Sequence, residues 1–151
     1  MVDIYLEALE LGYYEVTFAF EGLVDDKVWK RPSKSLLSVG ELAGHVAYWE
    51  AVKFAGEGED LAKCRVSSPL IDSRFRYYPE TLETSGSDQQ RAMSAKEVCA
   101  ELLRVHEEAM AHFKMLSPDL AGHPPGWQAH YTYLYFSRVQ CFDLLRCFQP
   151  M

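Results

Sequence analysis

Two S-x-x-E tetrads, Ser38-Val39-Gly40-Glu41 and Ser94-Ala95-Lys96-Glu97, constrain the fold of this chain more than any other feature. In such a tetrad the serine hydroxyl accepts from the amide three residues on, and the glutamate reaches back to the serine amide. Each tetrad therefore marks a helix start. Behind the first, Leu42, Val46, Trp49 and Val52 recur at spacings of three and four, and Gly56 and Gly58 stop the run. That pattern predicts a helix over about 39–55. Behind the second, Val98, Leu102, Val105, Ala109, Phe113 and Leu116 form a stripe that Ser117-Pro118 ends.

Two further segments read as helices. Over roughly 3–23, Tyr5, Ala8, Leu9, Gly12, Val16, Ala19, Phe20 and Leu23 make one face. Over about 126–148 the chain is apolar on nearly every side, which suits a helix that is central in its bundle or shared with a partner. Pro32 should stop the short turn that carries Trp29. Residues 57 to about 93 show no sustained period and should hold turns or a short helix. Their cluster Arg74-Phe75-Arg76-Tyr77-Tyr78 either covers a pocket or packs its rings as an ordinary loop. No strand pattern is visible. The expected fold class is all-α: one domain over 1–151, a four-helix bundle with a long connection between its second and third helices.

Composition narrows the function. With 15 Lys and Arg against 22 Asp and Glu, the net charge is -7, which argues against a nucleic-acid partner. No apolar run approaches the ~20 residues of a membrane span, and a basic amphipathic helix is lacking, so no membrane partner is expected. The start carries no signal-peptide pattern, which leads to a cytoplasmic expectation. The cysteines at 64, 99, 141 and 147 form no CxxC pair and read as reduced packing residues.

Five histidines are the candidates for chemistry. His45 falls among Leu42, Val46 and Trp49, and is either a core histidine held by one hydrogen bond or a metal ligand. His106 and His112 are six apart, on different helix faces, and cannot share an ion. Glu108 and His112 are four apart and can pair. His123, in the Pro-Gly loop, should be solvated. His130, near the expected start of the last helix, meets His45 only if the two helices are neighbours with the right stagger.

The stretch Leu23-Val24-Asp25-Asp26-Lys27-Val28-Trp29-Lys30-Arg31-Pro32, followed by Ser38-Val39-Gly40-Glu41-Leu42-Ala43-Gly44-His45, resembles the DinB-like superfamily. There a W-x-x-P segment precedes an S-[IV]-G-E-L-x-x-H helix start. The element order and the closing Leu144-Leu145-Arg146 are similar as well. The resemblance implies a bundle that is often a homodimer, with a divalent metal held by three histidines. Characterised members include metal-dependent thiol transferases and hydrolase-like enzymes acting on thiol cofactors such as bacillithiol or mycothiol, and relatives of maleylpyruvate isomerase. His45 matches the first ligand. The other two come from an H-x-x-x-H pair before a G-Q pair. Matching Arg138-Val139-Gln140 to that ending places Tyr133 and Ser137 at those positions.

Neither hydroxyl is a normal zinc ligand. His130 is a substitute, which leaves a third ligand to find. Two readings follow. In one, the metal site is degenerate and the bundle binds a small-molecule ligand or acts as a homodimer without catalysis. Trp49, Tyr133, Ser137 and Arg138 then line a pocket beside His45. In the other, His45 and His130 hold a zinc or nickel ion weakly, and the protein transfers or hydrolyses a thiol-linked small molecule. Tyr131, Tyr135 and Phe142 are the candidate rings for the dimer interface.

Overall fold

The computed structural model describes residues 2–76, 86–115 and 121–148. Tyr77, Tyr78, Leu116 and the Ser117-Pro118 terminator lie outside them, as do the side chains of Tyr5, Leu145 and Arg146. Among the described residues every regular element is helical: α1 (Val2–Ala19), α2 (Val39–Phe54), the single turn α3 (Asp88–Arg91), α4 (Ala95–Met115) and α5 (Tyr133–Phe148). The helix α2 packs against both α4 and α5, and α1 packs chiefly against α5.

Both serine tetrads cap their helices. The Glu41 amide donates to Ser38 Oγ at 3.1 Å while the Ser38 amide donates to Glu41 Oε2 at 2.8 Å. Ser94 and Glu97 repeat the exchange at 3.1 and 2.7 Å. Glu41 is fully buried, and its charge is met by a two-pronged contact from Arg31, with Nη2 at 2.6 Å and Nε at 3.0 Å from Oε1. A buried carboxylate needs such a partner, since the bare charge would cost several kcal/mol, on the order of the desolvation penalty of one ion. The amide of Ala95 at the head of α4 donates to Asp25 Oδ1 at 2.9 Å, which ties the 25–27 turn to that helix.

Small residues on α2 let aromatic rings sit against its backbone. A Cβ on Gly40 would stand 2.6 Å from the Trp29 ring, and one on Gly44 would fall inside the Phe75 ring's van der Waals surface. Trp29 and Phe75 stack at 6.2 Å over this strip. The 57–93 connection is thus laid down through Phe75, which is 1% exposed. Gln90 holds it in place, donating to Pro69 O at 2.8 Å and to Asp72 Oδ2 at 3.0 Å.

Two helix ends differ from expectation. The first helix closes at Ala19, not near 23, because the chain tightens into a turn ending at Gly22, whose φ is +70°. The last helix begins at Tyr133, not near 126. Before it, Gly126 adopts φ +80° and lies against the Gly58 backbone, and the Gly58 amide donates to Pro125 O at 2.8 Å. Thr132 Oγ1 then accepts from the Tyr135 amide at 3.1 Å. That is an N-cap, and it sets the helix start.

Candidate functional site

The helices α2 and α5 run antiparallel, as Lys53 lies over the Phe136 ring while Val46 O meets Gln140. This stagger decides which of the expected site residues can meet. Tyr133 is buried at the far end, sharing the Phe113 ring with Phe54 at 4.8 and 5.1 Å. Phe54 stands nine residues beyond His45, roughly 13 Å along the helix axis. Tyr133 and His45 are therefore not level with each other. Ser137 is buried too, and its hydroxyl donates to Tyr133 O at 2.8 Å within the same helix. His130 is exposed in the loop before α5, its ring against Tyr131 at 4.1 Å. Arg138 is exposed on the outer side of α5.

His45 is buried, and its Nδ1 donates to Phe75 O at 2.7 Å. A carbonyl can only accept, so Nδ1 carries the proton of this bond. Trp49, one turn on, donates from Nε1 to Arg76 O at 3.1 Å. The two backbone carbonyls of the connection thus fix side chains on two successive turns of α2. Of the two readings of the Arg74–Tyr78 cluster, the described part packs down on α2 through Phe75.

Among the described residues no three His, Cys, Asp or Glu side chains gather to hold a metal ion. The residue types point the same way. Tyr133 and Ser137 offer hydroxyls, one already bonded within its own helix, where a three-histidine site needs imidazoles. The described residues at these positions do not fit a histidine-held metal.

A buried polar cluster lies deeper, and sequence reasoning did not single it out. Glu50 is fully buried and accepts from His106 Nδ1 at 2.6 Å. On the other side of that ring Nε2 stands 3.2 Å from Glu10 Oε1 of α1. Tyr13 stacks on the imidazole at 3.8 Å with planes 16° apart. Burial opposes charge on His106, but the Glu50 and Glu10 carboxylates outweigh it and raise its pKa above the ordinary histidine value. Burial, aided by the Glu50 charge, likewise pushes the Tyr13 hydroxyl well above its usual range.

Lys53 extends the cluster toward α5. Its ammonium donates to Gln140 Oε1 at 3.2 Å and lies 5.2 Å from the Trp49 ring and 5.5 Å from Phe136. Burial lowers its pKa to about 8, against the pull of Asp143 and Glu50. Gln140 spends its amide protons on Val46 O at 3.2 Å and Tyr13 Oη at 3.3 Å. Tyr13, Glu50, Lys53, His106 and Gln140 thereby tie α1, α2, α4 and α5 together.

A faint sequence signal for this cluster existed. His106 falls four after Leu102 and three before Ala109, within the α4 stripe, and is 2% exposed. Glu108, by contrast, pairs with Arg104 at 2.7 Å rather than with His112. His123 is exposed as expected. Cys64, Cys99 and Cys141 are free, and burial raises each thiol above its usual pKa, which suits packing rather than nucleophilic work. An open groove of about 440 Å³ between α1 and α4, lined in part by Phe20, Leu23, Cys99 and Leu103, shares no residue with the polar cluster.

Comparison with protein-family models, with curated proteins and with solved structures finds no match to this chain.

Proposed function

We propose that the chain is a DinB-like four-helix bundle whose histidine metal site has been lost, and that it works as a non-catalytic binding module. One observation carries the reading. Tyr133 and Ser137 stand at the two last-helix positions that the resemblance assigns to ligands, and the Ser137 hydroxyl is turned back onto Tyr133 O. A buried hydrogen-bonded core, built on Gln140 and Lys53, takes the place of the metal as the tie between helices. Trp127 supports a small polar ligand as the bound species: its buried Nε1 has no acceptor among the described residues, and its ring stands 6.5 Å from Trp49. Homodimer formation through α5 belongs to the same reading, with Tyr135 and Phe142 exposed at 46% and 67%.

The test is metal content by plasma mass spectrometry on untagged protein, after incubation with zinc or nickel and desalting, with His45→Ala alongside. The expected result is no retained metal in either protein, with a dimer in sedimentation. Near-stoichiometric metal that His45→Ala abolishes would overturn it. One observation favours that second reading, a metal-dependent transferase or hydrolase acting on a thiol-linked small molecule. The Phe75 carbonyl accepts from His45 Nδ1 at 2.7 Å, the kind of backbone contact that orients a metal-ligating histidine.

A further inference from the structure

The outward face of α1 is apolar although no described residue of this chain covers it. Ile4, Leu11 and Phe18 recur every seven residues, and Tyr14 falls three after Leu11. They are exposed at 64%, 59%, 54% and 63% respectively. The opposite side of the same helix supplies the core with Leu9, Tyr13 and Val16, each no more than 2% exposed. So α1 carries two apolar faces, one inward and one outward, and the outward one has the seven-residue spacing of a helix–helix seam. Tyr14 and Phe18 already meet edge to face at 5.4 Å and make a continuous aromatic ridge.

The charge around this ridge selects the occupant. Glu7 interrupts the seam, and Glu10, Glu15 and Glu21 flank it, all exposed. No Lys or Arg occurs anywhere in α1. A second copy of the chain fits poorly. In an antiparallel pair centred on Leu11, Glu7 would face Glu15 of the other copy, and in a parallel pair Glu7 would face Glu7. Both place like charges together at a seam, which is unfavourable. An anionic surface is disfavoured for the same reason.

We propose that the outer face of α1 is a docking surface for a helix of another protein, one with an apolar seam flanked by Lys or Arg. The apolar ridge supplies contact area, and the acidic border supplies orientation and selects against acidic partners.

The test uses a fluorescent three-heptad peptide with Leu at the seam and Lys on its flanks, titrated with the full chain by anisotropy. A Leu-seam peptide with Glu flanks and a Ser-seam peptide with Lys flanks serve as comparisons. The Leu/Lys peptide should bind saturably, and the other two should not. The double variant Leu11→Ser/Phe18→Ser removes exposed side chains only, so it should fold, as far-UV circular dichroism will check. It keeps every charge yet should weaken binding at least ~10-fold. Tyr135→Ser/Phe142→Ser on α5 should leave binding unchanged. Absence of binding, equal binding of the Ser-seam or Glu-flanked peptide, or full binding by Leu11→Ser/Phe18→Ser would each overturn the proposal. So would light scattering in which that double variant turns a wild-type dimer into a monomer, because a second copy would then be the occupant.

Discussion

The carboxylate of Glu50 and the imidazole of His106 meet inside the core, 2.6 Å apart between Oε1 and Nδ1, with neither residue more than 3% exposed at its side chain. They come from α2 and α4, and Glu10 of α1 closes the far side of the same ring. A buried histidine held between two carboxylates places titratable groups in the core. It gives the protein a pH dependence that its surface charge alone would not.

For His106 the folded pKa is raised above the ordinary value. Its contribution to stability is therefore fully present below the unfolded pKa of about 6.5 and is lost as pH rises through the folded value. Glu50→Gln keeps the shape and removes the charge. We expect the His106 titration midpoint, followed by NMR, to fall, with a loss of about 2 kcal/mol in urea unfolding at pH 6. An unchanged midpoint in that variant would show that Glu50 does not hold the imidazolium.

Lys53 runs the other way. Its folded pKa is lowered to about 8, so its buried charge penalises the folded state below that pH. The penalty, about 3 kcal/mol, is relieved as pH rises from about 8 toward the unfolded value near 10.5. Lys53→Met should abolish this rise, as measured by chemical unfolding between pH 8 and 10. Its net effect at pH 7 is expected to be small, because Gln140 Oε1 loses its donor when the charge is removed. If Lys53→Met shows the same rise as the wild type, the ammonium is not desolvated as described.

At Gly44 the Phe75 ring of the 57–93 connection lies against the α2 backbone. A methyl group there would collide with the buried Phe75 ring. Gly44→Ala is thus expected to destabilise by roughly 1–3 kcal/mol, despite alanine's better helix propensity. The His45 ring resonances should shift in the same variant, because its acceptor is Phe75 O. A stabilised Gly44→Ala protein with unmoved His45 signals would mean that Phe75 can leave the helix freely.

The helix starts at Val39 and Ala95 were legible because capping is local: Ser38 with Glu41 and Ser94 with Glu97 act over three residues. The N-cap of α5 was equally local, but Thr132 was hidden behind an aromatic run that continues the apolar pattern on either side of it. Trp127 and Tyr131 looked helical in sequence, yet they pack against Phe136 from outside the helix, at 4.9 and 5.8 Å.

What the sequence by itself determined was the all-helical class, the capped starts of α2 and α4, and the apolar stripe of α4. These depend on backbone groups and on side chains within a turn of one another. Only the tertiary structure decided what the polar residues face. Glu50 and His106 are 56 residues apart, and Lys53 and Gln140 are 87 apart. Whether they meet depends on how two helices are staggered, a quantity fixed by packing the whole core and not by any local pattern. The same stagger puts Tyr133 beside the Phe54 end of α2 and leaves His45 to the carbonyl of Phe75.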